Sequence, residues 1–196
     1  MPSLTKLHQL GQSTWLNYLR NSYIRSGELG EQVRDGVQGV TANALVYERA
    51  IAGSSDYDAE IRQAMVEGKP AREVHHLLMA DDIQRAADVL HPVFEKSEHD
   101  DGFVSYEVDP AIFSDMTTAV AEIRHVAHLI DRNNVMVEIP ATDVGIETIR
   151  RIKSGHAMVL APVGHVIGLV ESLHVLHGPA HLGSQILQVA LGHFHI

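Results

Sequence analysis

The sequence predicts an α/β fold with about five parallel strands, and three observations lead to it. Short apolar runs alternate with longer stretches of helical periodicity along the 196 residues. Turn-forming residues such as Gly36, Asn133 and Pro140 separate one run from the next. The repeated order of strand then helix favours right-handed crossover connections, which produce a parallel sheet.

Each element follows from its local pattern. The run FVSYEV alternates in polarity as a strand does, and Val120, Ile123, Ala127 and Ile130 recur at helical spacing after a cap at Ser114 or Asp115. The predicted strands are 13–19, 37–42, 103–108, 135–139 and 157–163. The predicted helices are 3–11, 24–35, 44–52, 57–67, 71–95, the segment from 115 to about 132, 143–153 and 166–177.

Five strand–helix units leave two architectures open. One is a partial or truncated (β/α) TIM-barrel-like fold, since a closed barrel has eight units. The other is an open five-stranded α/β sandwich. In either case we expect residues 1–196 to form a single domain. We also expect the apolar terminal segment 183–196, a second protein chain or another copy of this chain to cover the open edge of the sheet.

Composition excludes several classes of function. Lys and Arg number 15 and Asp and Glu number 25, so the formal charge is 15 − 25 = −10 and a nucleic-acid partner is not expected. The absence of cysteine excludes disulfides and thiolate catalysis. No apolar run reaches about 18 residues and no signal-peptide core is visible, so we expect a cytoplasmic protein with no membrane partner. The 14 histidines match no strong metal signature, and we predict neither a metal nor another cofactor.

Five segments resemble the transaldolase family in the same order along the chain, over roughly residues 5–155. They are LHQLGQSTWLNYLR, GVTANALVYERAIAGSSDYD, DDIQRAADVLHPVFE, DGFVSYEVDP and NNVMVEIPATDVGIETI. The resemblance implies a (β/α) barrel whose site lies at the carboxyl ends of the strands.

The resemblance also implies roles for particular positions. The family carries the lysine that forms an imine with a ketose phosphate on its fourth strand, in Lys-Val-Pro-Ala-Thr, and this chain has Glu138 in its place. The acidic proton-transfer residue of the first strand corresponds to Asn17. The Glu of the third strand is kept as Glu107, and the Asn of the second strand is kept as Asn43. Because a carboxylate cannot condense with a ketone, the resemblance implies a site without Schiff-base chemistry.

Fewer positions correspond in the later strands. The Asn and Thr of the family's fifth strand correspond to Val159 and Ala161, which lack polar groups. The family's phosphate-binding Ser and Arg lie on strands beyond the five predicted here, so we do not expect sugar-phosphate recognition.

The strand pattern alone places Ser105 and Glu107 on one face of their strand, and Glu138 on a face with Met136. Carboxylates inside a sheet need partners, and two close together have their pKa values pushed apart, which suits acid–base catalysis. A structural pair satisfied by Arg, Lys or Asn17 is the other interpretation.

Three functional hypotheses follow. The first is a repurposed enzyme with Glu138 and Glu107 as acid and base and with Asn17, Asn43, Ser105, Thr142 and His165 binding a small polar or cationic biosynthetic metabolite. Its reaction would be an elimination, an isomerisation or an intramolecular amine cyclisation. The second is a non-catalytic pseudoenzyme subunit that completes or stabilises a partner protein. The third, a residual aldolase using Lys153, is disfavoured because this lysine lies on a predicted helix away from the expected site.

Overall fold

The computed structural model describes residues 4–42, 44–152, 158–160, 174–175 and 189–190. The strands are β1 (Trp15–Leu16), β2 (Gly39–Ala42), β3 (Phe103–Glu107), β4 (Val135–Glu138), β5 (Met158–Leu160), β6 (His174–Val175) and β7 (Val189–Ala190). The helices are α1 (Leu4–Gln9), α2 (Asn21–Arg25), α3 (Glu28–Asp35), α4 (Ala44–Ala52), α5 (Asp58–Val66), α6 (Ala71–Lys96), α7 (Met116–Ile130) and α8 (Asp143–Ile152), with a 3-10 helix at Pro110–Ser114.

Strands β1 to β5 form one sheet in the order of the chain. Trp15 of β1 pairs with Gly39 of β2, and Met136 of β4 pairs with Met158 of β5, both in parallel ladders. Helices connect the successive strands from β1 to β5. The predicted α/β fold with about five parallel strands is therefore confirmed, and it is consistent with part of a (β/α) barrel.

The register of β3 against β4 is fixed near the start of both strands. The backbone N–H of Val104 donates to the carbonyl of Asn134 at 3.0 Å, a bond that in a parallel ladder places Val104 opposite Val135. The same register, continued along both strands, places Glu107 opposite Glu138. The buried Asn134 side chain supports this start of β4, because its Nδ2 donates to the carbonyls of Ala87 and Gly102, each at 2.9 Å.

Two compact units make up the chain, and the first comprises residues 1–105 and 126–135. In this unit α6 packs against α2, α3 and α5. The core residues with no exposed surface include Leu29, Ile83, Leu90 and Phe94. Because α6 supplies three of these four side chains, this long helix forms the main apolar surface of the unit.

The second unit comprises residues 106–125 and 136–196. Here α8 packs against the 3-10 helix. The buried residues include Tyr106, Ile123, Val137, Ile139 and Ile152, so strand and helix side chains share one core. Asp115 begins α7 as predicted, because its Oδ2 accepts a 2.7 Å hydrogen bond from the N–H of Thr118.

Some element boundaries differ from the predictions. The predicted strand 13–19 is only two residues long, and the predicted helix 24–35 is divided at Gly27, whose φ of 87° is left-handed. Residues 174–175 belong to β6, which pairs antiparallel with β7, so the predicted helix was wrong at its end. The remainder of that helix lies outside the described residues. No helix among the described residues is both long and apolar enough to cross a membrane.

Candidate active site

Glu138 is the last residue of β4, and it is 7% exposed. Its neighbours Met136, Val137 and Ile139 are also buried, so both sides of the strand are covered. Burying a carboxyl at the end of an apolar strand costs free energy unless nearby groups interact with it. A buried ionisable group at a strand carboxyl end is therefore a reasonable candidate for chemistry.

Glu107 occupies the corresponding position at the end of β3, and its side chain is exposed. The register described above places it beside Glu138 on the neighbouring strand. Paired residues of a parallel ladder point to the same side of a sheet. The two carboxyl groups therefore form a pair in which one is accessible to solvent and the other is buried.

The pKa of Glu107 is raised by its surroundings. Partial burial raises the pKa of Glu107 above its ordinary value, and the negative charge of Glu138 raises it further. A raised carboxyl pKa means that Glu107 holds its proton at a higher pH than a free glutamic acid does. Such a group can accept and return a proton closer to neutral pH.

The other predicted site residues are placed as follows. Thr142 is exposed in the loop after β4, where its Oγ1 accepts a 3.0 Å hydrogen bond from the N–H of Gly145 and so caps α8. Ser105 has no exposed surface and lies two residues before Glu107.

Asn17 follows β1 in the first unit, where it is exposed. Asn43 and His165 lie outside the described residues, as does Ala161.

The fifth strand is placed by its register against β4. Val159 pairs with Val137, and Leu160 pairs with Glu138. The ladder thus places Leu160, rather than Val159, level with the candidate carboxyl pair.

Sequence reasoning missed a buried polar network in the first unit. Tyr57 donates from its hydroxyl to Asp82 at 2.7 Å, and Asn21 donates from Nδ2 to the other oxygen of Asp82 at 2.9 Å. Asp82 is 1% exposed, and this burial raises the pKa of its carboxyl, although both hydrogen bonds act in the opposite direction. An Asp at a buried position of α6, next to Ile83, was the available signal.

The turn that precedes α5 is anchored by side chains that bond to other elements. Tyr57 occupies the N-cap position without a side-chain capping bond, because its hydroxyl is bonded to Asp82 instead. Asp56 accepts from the backbone N–H of Ser22 at 3.3 Å, which joins this turn to α2.

A cleft of about 530 Å³ lies beside this network in the first unit. Its lining includes Asn21 and Tyr57, together with the ion pairs Arg25–Glu60 and Arg85–Asp81. Among the residues that the structure describes, no group of three or more His, Asp or Glu side chains is placed to hold a metal ion.

A parallel α/β sheet with a carboxyl pair at the ends of two adjacent strands is the kind of site that a (β/α) barrel presents. The family model for Transaldolase/Fructose-6-phosphate aldolase matches residues 15–161. This chain belongs to that family.

Curated relatives agree with this assignment. The chain is 38% identical over 150 residues to "Transaldolase 2" of Nostoc punctiforme, an overlap that covers 76% of this chain and 39% of the relative. It is 40% identical over 147 residues to "Transaldolase" of Thermobifida fusca, covering 74% and 40%. It is 37% identical over 151 residues to "Transaldolase 1" of Streptomyces coelicolor, covering 76% and 40%. The matched region thus spans about two fifths of the length of these relatives.

Proposed function

We propose that this member of the family is a repurposed enzyme that performs acid–base catalysis on a small polar metabolite of a biosynthetic pathway, without Schiff-base chemistry. The observation that carries the proposal is the buried carboxyl of Glu138 at the end of β4, opposite Glu107. Eliminations, isomerisations and intramolecular amine cyclisations all need a positioned proton acceptor and donor.

The change at position 138 supports a reaction other than that of a transaldolase. The resemblance to the family implies an imine-forming lysine at this position. A glutamate offers oxygen atoms in place of the primary amine, so it cannot form the carbon–nitrogen double bond of an imine. A carboxylate in the same place can still remove a proton from a bound substrate.

The two carboxyl groups suit different roles. Glu107 has a raised pKa and an exposed side chain, so it is the group that exchanges protons with substrate and solvent. Glu138 is buried, and its negative charge helps to raise the pKa of Glu107. Removing the charge of Glu138 should therefore lower the pKa of Glu107.

The test is exchange of substrate hydrogens with solvent deuterium, followed by proton NMR. Eliminations and isomerisations of carbonyl compounds that pass through an enol begin when a base removes a C–H proton next to the carbonyl, so a panel of small hydroxyketones and aminoketones in deuterated buffer reports this step. We expect wild-type protein to catalyse exchange with at least one member of the panel. Glu138→Gln and Glu107→Gln should slow that exchange by about 10²-fold or more, the usual range for loss of a general base.

Glu147→Gln is the matched control, because Glu147 is a carboxyl of the same unit that pairs with Arg150 and Arg151 on α8. This variant should keep the wild-type exchange rate. Equal exchange by wild type and Glu138→Gln would contradict the proposal, and so would a borohydride-trapped adduct with fructose 6-phosphate on any lysine. If wild type exchanges no member of the panel while a second protein chain co-purifies with it, the role of a non-catalytic subunit replaces the proposed one.

A further inference from the structure

We propose that two copies of this chain associate through the cleft between α5 and α6, with Val66 of each copy seated in the cleft of the other. The association follows a two-fold axis, so both copies use the same surface. This inference is independent of the chemistry proposed at the strand ends, because the residues that carry it lie on α2, α5, α6 and the turn between α5 and α6, all within the first unit.

The cleft has an apolar floor that is already formed in the single chain. α6 contributes Val74, Leu77 and Leu78 to the lining, and α5 contributes Ala64. Leu78 belongs to a buried cluster that includes Tyr57, and Val74 packs against this cluster. The floor is therefore the outer surface of a packed core, which keeps its shape without an occupant.

The polar groups at the floor are bonded to one another. The Tyr57 hydroxyl donates to Asp82 at 2.7 Å and accepts from the backbone N–H of Asn21 at 3.1 Å. The Asn21 side chain donates to Asp82 at 2.9 Å. A small polar ligand is held by convergent polar groups, whereas this floor offers mainly apolar contact. That difference favours an apolar side chain of a protein as the occupant.

Val66 is the matching apolar side chain. It is the last residue of α5, and it is 85% exposed. It follows Ala59 by seven residues and Gln63 by three, so it lies on the same helix face as these two lining residues. A two-fold rotation places the exposed valine of each copy over the hollow of the other. Leu77 is the floor residue that we expect it to meet, because Leu77 is 36% exposed.

The charges around the cleft are balanced. Six charged side chains line it, in the exposed ion pairs Arg25–Glu60, Lys69–Glu67 and Arg85–Asp81. Their sum is 3 − 3 = 0, whereas the first unit has 11 basic and 17 acidic side chains, a formal charge of 11 − 17 = −6. The excess negative charge of the unit therefore lies outside the cleft lining.

This balance favours a second copy over a partner of a single charge sign. Two acidic chains repel one another least where both present a neutral surface. A surface with equal numbers of cations and anions can also pair with itself, which fixes the register of the two copies. The apolar floor and the charged surroundings match the apolar centre and polar rim of a protein interface.

The first test is sedimentation velocity from low to high micromolar protein concentration. We expect the mass to rise from that of one chain, 21.5 kDa, towards twice that value. Val66→Lys should raise the dissociation constant of the dimer at least about tenfold, because it places a charge on the apolar floor of the other copy. Because this substitution lowers the net negative charge, general repulsion cannot explain a loss of association.

Leu10→Lys is the matched control, since Leu10 is 76% exposed, belongs to the first unit and is not part of the cleft lining. It makes the same change of charge, and it should leave the dissociation constant of the dimer unchanged. Circular dichroism of both variants establishes that the fold is retained, as the exposure of both side chains leads us to expect.

The second test is cross-linking, which is specific because the chain has no cysteine of its own. Val66→Cys mixed with Leu77→Cys should give a covalent dimer with a short bis-maleimide, and peptide mass spectrometry should locate the link between positions 66 and 77. Val66→Cys mixed with Leu10→Cys should give no link between positions 66 and 10. Each chain carries a single thiol, so every link joins two copies.

A chain that stays monomeric over the whole concentration range would overturn the inference and leave the cleft to a different occupant. A dimer that Val66→Lys does not weaken, or that Leu10→Lys weakens equally, would overturn it too. The same holds for a dimer in which no link joins positions 66 and 77, since its interface would lie elsewhere.

Discussion

Two carboxyl groups in the described part of the chain, those of Asp82 and Glu107, have contrasting environments. Asp82 accepts hydrogen bonds from Tyr57 and Asn21, whereas Glu107 has a second carboxyl group beside it. Burial is the largest cause of the raised pKa in both residues. Hydrogen-bond donors stabilise the charged form, and a like charge destabilises it, so substitutions at the two sites should have different consequences.

Glu107→Gln should raise the melting temperature by about 1–3 °C at pH 8, an effect of the size that removal of a like-charge contact has in a chain of this length. Because the native pKa of Glu107 is raised, its ionised form lowers the free energy of unfolding at pH values above that pKa. The gain should therefore disappear as the pH falls through the raised pKa and Glu107 becomes protonated in the wild type. Differential scanning fluorimetry across pH 4–8 measures this difference, and a lower melting temperature of the variant at pH 8 would contradict it.

Tyr57→Phe should lower the free energy of unfolding by about 1–3 kcal/mol, because it removes a 2.7 Å hydrogen bond to a buried carboxyl. This bond lowers the pKa of Asp82, so its loss raises that pKa further. The destabilisation should therefore be larger at pH 8, where Asp82 is ionised, and smaller at low pH.

Urea denaturation at several pH values checks the prediction for Tyr57. Tyr47→Phe is the matched control, since Tyr47 is equally buried and its hydroxyl donates to the neutral carbonyl of Met79, at 3.5 Å. Its cost should be smaller and should vary less with pH. Equal costs for the two variants would show that the bond to Asp82 contributes nothing specific.

At the scale of elements, the segment that follows the candidate site is held by a close backbone approach. A side chain at Gly145, in the first turn of α8, would overlap the carbonyl oxygen of Pro140. The backbone of α8 therefore lies directly against the loop that follows Glu138, and only glycine fits this position.

Gly145→Ala should destabilise the protein by about 1–3 kcal/mol, because the added methyl group forces the Pro140 loop and α8 apart. Gly30→Ala is the control: Gly30 lies in α3, and its added methyl would make only an ordinary 3.6 Å contact with Arg34. That substitution should stabilise by about 0.5–1 kcal/mol through helix propensity. Urea denaturation of both variants measures the pair, and equal effects of the two would contradict the overlap at Gly145.

The sequence predicted the regular elements better than the contacts between them. The alternation in FVSYEV and the helical spacing of Val120, Ile123 and Ile130 gave β3 and α7 because those patterns are local. The network of Asn21, Tyr57 and Asp82 was missed because its members are 25 to 61 residues apart. The identity of Glu107 and Glu138 as a candidate pair came from strand pattern and family resemblance, but their register required coordinates.

At the scale of the whole molecule, negative charge is distributed over both compact units. The second unit has a formal charge of −4, and the remaining residues have −10 + 4 = −6. Described ion pairs such as Arg62–Asp58 and Arg34–Glu31 are exposed, so each contributes little to stability. Repulsion among like charges is then the larger effect of long-range electrostatics.

Raising NaCl from 0.01 M to 0.3 M should therefore raise the melting temperature, by about 1–4 °C, since screening weakens the net repulsion more than it weakens exposed pairs. Scanning calorimetry at constant pH measures the shift. Potassium chloride serves as the control, because a general screening effect does not depend on the cation. A fall in melting temperature with salt would mean that the ion pairs outweigh the repulsion.

The bonds of Asn134 have a consequence for the far end of the strands. This residue aligns β3 with β4 about 13 Å from the carboxyl pair, four residues at roughly 3.3 Å each. A slip of one residue there would turn Glu138 to the opposite side of the sheet while leaving Glu107 in place. The lateral alignment of the two acids thus depends on Asn134, a residue at the opposite end of these strands from the proposed site.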